Sequence, residues 1–232
     1  MPERDEKEAF RNRDVSFIGL VLACTGDDIR NRLAHVEESA ARVRNLLEEE
    51  GDVSNENHNS PADILSTIDR QLKLLGQKIH YLSRFAKRMD KRFCIFDPGQ
   101  ILEEAVSFST RFARMKSVSL VYEPRRTLPT LSSDPLAVHF LVSTLIKDMV
   151  KRVQKGGAVS VRTQPENRGL MIDISGRGSF KASGTGLPQA GDEDPYRAAV
   201  DRMLGPLGGH LETSEPGANV RKASLLLHSK GA

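Results

Sequence analysis

Two runs of apolar residues, each recurring at steps of three and four, constrain this chain more than any other feature. In the first, Ile29, Leu33, Val36, Ala40, Val43 and Leu47 draw one stripe down a helix face. Val15, Ile18, Leu22 and Gly26 extend it upstream as a weaker seam. The segment GDVSNENHNSP (51–61) then breaks the pattern with the residues of a loop. Pro61 suits the first turn of a second helix, where its missing N–H costs nothing, and Ser60 suits the cap. That helix repeats the stripe through Ile64, Ile68, Leu72, Leu75, Ile79, Leu82, Phe85 or Ala86, and Met89. About 30 residues at a rise of about 1.5 Å give a rod of about 45 Å. Two such rods and a short loop make an antiparallel hairpin, which alone leaves much of both stripes wet. Pairing with a second copy as a homodimeric four-helix bundle buries them. The alternative cover is the rest of the same chain.

The pattern changes near residue 96. FDPGQILEEAVSFSTRFARM (96–115) opens on Asp97-Pro98 and reads as a capped helix, SVSLVYEP as a short strand, and DPLAVHFLVSTLIKDMVKRV (134–153) as a helix with a broad apolar face. Strands follow at 158–163 and 169–175 around a PENRG turn. A Gly-rich stretch, a helix over YRAAVDRMLGPLG, and strands near 209–214 and 221–228 complete the chain. Helices with mostly antiparallel strands predict a two-layer α+β domain. The expected organisation is a charged tail at 1–14, a helical hairpin dimerisation domain at 15–95 and the α+β domain at 96–232.

Composition removes several function classes. A net charge of +3 is too small to argue for nucleic acid, and no Lys/Arg block is interleaved with aromatics. RRTL at 125–128 and KRVQK at 151–155 read as solvated surface, and no Trp with three Tyr leaves no stacking platform. Cys24 and Cys94 lie far apart, so neither a disulfide framework nor a zinc knuckle is expected. The charged N-terminus is not a signal peptide, and no apolar run approaches the roughly 18 residues that cross a bilayer. No membrane insertion, no metal and no cofactor are expected. A reducing cytoplasm is the simplest home.

In order and spacing, residues 15 to 228 resemble the catalytic core of a sensor histidine kinase. GDDIRNRLA lies on that family's S-H-E-L-R-N-P-L-A motif, with Ile29, Arg30, Asn31, Leu33 and Ala34 matching. HFLVSTLIKD lies on its asparagine-bearing helix, ISGRG on its D-x-G-x-G turn and GTGLP on its phosphate-covering glycines. The resemblance implies a dimerising, histidine-bearing hairpin followed by an ATP-binding α+β sandwich. It also places substitutions at the chemistry. The phosphorylatable histidine falls on Asp27 and its acidic neighbour on Asp28. Ser143 and Lys147 occupy the two Asn positions, and an ammonium at 147 has no lone pair for the magnesium ion that the second Asn holds. Ile174 stands where the adenine-reading Asp belongs, and Asp173 beside it points to the opposite face of the strand. Gly176, Gly178, Gly184 and Gly186 persist, which turn geometry explains as readily as ligand binding does.

The resemblance therefore implies a degenerate kinase-like protein without autokinase activity, whose partner is a response regulator receiver domain or a sensor histidine kinase. Asp27, Asp28, Arg30, Asn31, Arg32 and His35 form the expected charged docking patch. Two other readings remain. Dimeric histidine phosphotransferases relay phosphoryl without nucleotide, and His35 or His80 would then be the acceptor, with Arg30 or Arg32 steadying the oxyanions. A nucleotide-binding regulator would keep affinity for ATP despite Ile174 and Lys147. His58, His139, His210 and His228 show no partner in the sequence.

Overall fold

In a computed structural model the described residues are 2–48, 60–89, 93–125, 127–167, 169–180, 200, 203–217 and 219–228, with side chains described from Val15 onward. They divide into two compact units, Met1–Arg84 and Phe85–Ala232.

The first unit holds helix α1 (Pro2–Glu48) and most of helix α2 (Pro61–Arg88). The segment that reads as a charged tail is helical from Pro2 onward. Ser60 and Asp63 form a reciprocal cap at the start of α2: the Ser60 N–H and hydroxyl donate to the Asp63 carboxylate, and the Asp63 N–H donates back to Oγ. The covered face of α1 differs from the sequence stripe. Phe17, Val21, Thr25 and Asp28 are buried, while Leu33 is 42% and Leu47 66% exposed. One residue is about 100° around a helix, so the stripe through Ile29 and Leu33 lies a quarter-turn from the face through Asp28. On α2, Ile64 and Leu75 are buried, while Leu65, Leu72 and Ile79, seven residues apart, are exposed. Each helix thus has one covered face and one open apolar stripe.

The second unit is a helix layer on one face of a sheet. After a short antiparallel pair, β1 (Cys94–Phe96) with β3 (Leu131–Ser133), the main sheet comprises β2 (Ser119–Glu123), β4 (Ala158–Glu166), β5 (Gly169–Arg177), β6 (Gly209–Gly217) and β7 (Val220–His228). Its spatial order is β2-β4-β5-β7-β6, with β2–β4 parallel and every other pair antiparallel. Helices α3 (Pro98–Met115) and α4 (Pro135–Arg152) supply one side of the core, and alternate strand residues such as Val159, Val161, Ile172, Ile174 and Leu225 supply the other. Both helices start on Asp-Pro. The carboxylates of Asp97 and Asp134 accept from backbone N–H groups in the first turn, and proline occupies the position that needs no donor. Helix α3 ends at Ser117 (φ 54), with Val118 N–H donating to Ala113 and Ser117 N–H to Arg114. That is a left-handed helix stop with serine in a place that favours glycine.

Candidate functional site

An ion cluster faces inward between α1 and α2. Asp28 is the centre: its side chain is 8% exposed, with Lys78 of α2 at 3.3 Å and Arg32, one turn on, at 3.6 Å. Arg32 also donates to Gln71 of α2 at 2.9 Å. The expected patch of six residues therefore splits. Asp28 and Arg32 turn into the hairpin seam, because there each meets a polar partner on α2 that water would otherwise supply. Asp27, Arg30, Asn31 and His35 face solvent, with Asp27 3.5 Å from Arg30. Lys78 was legible in principle: an antiparallel pair opposes rising numbers on one helix with falling numbers on the other, and Arg32–Gln71 and Asp28–Lys78 follow that rule. His35 is 67% exposed, 4.0 Å from Glu38, and His80 is exposed beside Tyr81.

At the nucleotide-like position the side chains are structural. Ile174 has no exposed surface and pairs across the sheet with Val161 and Ala223, within the core. The β5 ladder runs without a slip on either side, so Asp173 stays on the opposite face. There it accepts from the Ser224 hydroxyl at 2.7 Å and pairs with Lys222 at 3.0 Å. Gly176 is a packing residue: a Cβ would meet Met149 Sδ at 2.7 Å and Val153 Cγ2 at 2.8 Å. Gly178 has φ +125, a conformation that side chains resist. Ser143 is buried, and its hydroxyl has no hydrogen-bond partner among the described residues. Gly184 and Gly186, like His58, lie outside the described residues.

Two groups that sequence reasoning left without a role are bound into the second unit. His139 of α4 is buried between Phe85 and Phe108, with ring centroids 5.1 and 5.7 Å away. Burial, then the positive charges of Arg88 and Lys147, pull its pKa down to about 3, so the ring is neutral. The Arg88 guanidinium pairs with the fully buried carboxylate of Glu104. The last turn of α2 thus belongs to the second unit through Phe85 and Arg88. His210 also has a neighbour, Glu212 at 3.5 Å. Among the described residues no group of three His, Cys, Asp or Glu side chains could hold a metal ion, and no helix is long and apolar enough to cross a membrane.

No protein-family model matches the chain, and no curated protein matches its sequence. Solved structures do match its fold. A histidine kinase from Burkholderia phymatum superposes with a TM-score of 0.52 at 14% identity, over 87% of this chain and 99% of that one. The histidine kinase AdeS of Acinetobacter baumannii gives 0.50 at 11% identity, over 85% and 96%. The likeness is one of architecture: a helical pair followed by an α+β mixed-sheet domain, as in histidine kinase cores.

Proposed function

We propose that this chain is a non-catalytic, histidine-kinase-like regulator in a two-component phosphorelay. Its hairpin, paired with a second copy through the open stripes of Leu33, Leu65, Leu72 and Ile79, presents Asp27, Arg30, Asn31 and His35 to a receiver domain or to a sensor kinase. Binding there alters phosphoryl flow without ATP chemistry in this chain. The observation that carries the reading is Ile174, an aliphatic side chain sealed in the core where the kinases read adenine. Asp28 supports it, since a carboxylate held by Lys78 and Arg32 is not free to take a proton from an attacking group. The exposure of His35 favours one rival, a phosphotransferase that accepts phosphoryl on that imidazole.

The test is to incubate the chain with magnesium-ATP, with phosphorylated receiver domains and with active kinases, following both label and complex. The regulator reading expects complex formation, no self-labelling, and weaker binding after Asp27→Lys with Arg30→Glu. Label arriving from a phosphorylated receiver and disappearing in His35→Ala or His80→Ala would establish the phosphotransferase instead. Self-labelling from ATP would overturn both.

A further inference from the structure

One end of the second unit carries exposed basic residues on two helix-to-strand turns. Helices α3 and α4 both end there, because β2 and β4, which follow them, run parallel. The Gly156 N–H donates to the Ser117 carbonyl at 2.9 Å, and the Ser119 N–H donates to the Gly157 carbonyl at 2.9 Å. These two bonds lock the α3–β2 turn against the α4–β4 turn. Arg114 and Lys116 from the first and Lys151 and Lys155 from the second are all exposed on this end. Met115, between Arg114 and Lys116 in the chain, is 71% exposed. The sequence contains no Asp or Glu from 105 to 122 or from 149 to 165, and Asp148 just before is taken by Arg152 at 2.7 Å.

Basic residues in a last helical turn complement the helix dipole, and that alone accounts for one or two of them. It does not account for two hydrogen-bonded turns whose own residues include no carboxylate and beside which a thioether is exposed. We propose that this end is a peripheral docking surface for an anionic lipid bilayer, with Lys116, Lys151 and Lys155 over the headgroups and Met115 entering the interface. Charge complementarity selects the partner, since juxtaposed lysines and arginines near a membrane act together on its negative surface potential. The lysine side chains, the exposed apolar Met115 and the lack of tyrosine or tryptophan in these two turns suit a fluid anionic plane better than a folded acidic protein; the amide of Gln154 in the second turn is engaged with the Phe180 carbonyl. The reading is independent of how the hairpin acts.

Co-sedimentation of the full chain with large vesicles tests it, comparing phosphatidylglycerol–phosphatidylcholine mixtures with phosphatidylcholine alone. The expected result is binding to the anionic vesicles only, lost at high salt. Lys116→Glu with Lys155→Glu should reduce partitioning by more than about tenfold. The same charge change on the hairpin, Arg44→Glu with Arg70→Glu, should leave most of it in place. Met115→Ser should weaken binding with less change in salt dependence. Circular dichroism establishes that each variant is folded, and Lys116→Gln with Lys155→Gln repeats the test without charge reversal. No binding to anionic vesicles, or equal loss in both charge-matched pairs, overturns the proposal. So does binding to duplex DNA or an acidic polypeptide that matches or exceeds vesicle binding and shares the Lys116 and Lys155 dependence.

Discussion

The buried imidazole of His139 makes the second unit acid-sensitive by a calculable amount. In the unfolded chain a histidine titrates near 6.5, whereas in the fold burial between Phe85 and Phe108, with Arg88 and Lys147 adding like charge, pulls it to about 3. The folded value is depressed, so the stabilisation is whole above pH 6.5 and is lost progressively as pH falls from 6.5 toward 3. Each unit within that window costs about 1.4 kcal/mol, so roughly 2 kcal/mol is gone by pH 5. That is a sizeable share of the 5–15 kcal/mol that holds a typical domain together. Ordinary carboxylates titrate over part of the same range, so the contribution has to be read as a difference between variants. His139→Leu fills the site with an aliphatic group and removes the titration. Urea unfolding at pH 7.5, 6.5, 5.5 and 5.0, with hydrogen exchange in α4 peptides as the local probe, should show wild type losing about 2 kcal/mol more than His139→Leu by pH 5. Parallel pH profiles for the two proteins would refute the argument, for the ring would then be solvated or already charged.

Two further substitutions separate packing from chemistry. Gly176→Ala drives a methyl into Met149 and Val153 and should destabilise by about 1–3 kcal/mol in urea, most of it recovered when Met149→Ala makes room; a cost unchanged by Met149→Ala would show that the clash lies elsewhere. Asp28→Ala takes an anion from two largely buried cations and should cost about 3 kcal/mol of hairpin stability by thermal circular dichroism, whereas Asp28→Leu with Lys78→Leu, which leaves only Arg32 without that anion and still bonded to Gln71, should cost less. A small effect of the single change and a large one of the pair would reverse that assignment.

The parts of the fold legible in sequence were those with local causes. Asp97-Pro98, Asp134-Pro135 and Ser60-Pro61 announce helix starts through cap chemistry that needs no distant partner, and all three helices begin there. The strands at β4 through β7 follow from alternation and turns. Short β1 and β3 carry too few residues for a period, and their pairing, Cys94 with Ser133 through Phe96 with Leu131, is a long-range event. The candidate site was legible only in part for the same reason. The stripe through Ile29 and Leu33 is a true repeat, but a repeat does not say which of two adjacent faces meets the neighbouring helix. Asp28 looked like surface because carboxylates usually are; its partner Lys78 sits on the other helix. His139 looked idle because Phe85 and Phe108, which enclose it, come from two other helices.

Whether position 174 could face a ligand pocket turns on how Ile174 is packed. A site that has lost one polar group can regain it by one substitution, if the position still faces a pocket. Ile174 instead packs with no exposed surface, flanked across the ladder by Val161 and Ala223, while the nearest carboxylate, Asp173, is committed to Ser224 and Lys222 on the other face. Ile174→Asp would lose the transfer energy of a buried aliphatic side chain and bury a carboxyl group among Val161, Ala223 and their neighbours. Together these should cost at least about 4 kcal/mol, against about 1 kcal/mol for Ile174→Val. Urea unfolding of the two variants distinguishes the cases, with calorimetry against magnesium-ATP alongside. An Ile174→Asp protein as stable as Ile174→Val, and binding ATP, would mean that the position opens onto a nucleotide pocket after all. An Ile174→Asp protein destabilised by at least about 4 kcal/mol that, where still folded, binds no nucleotide would mean that the position is hydrophobic core rather than a pocket wall.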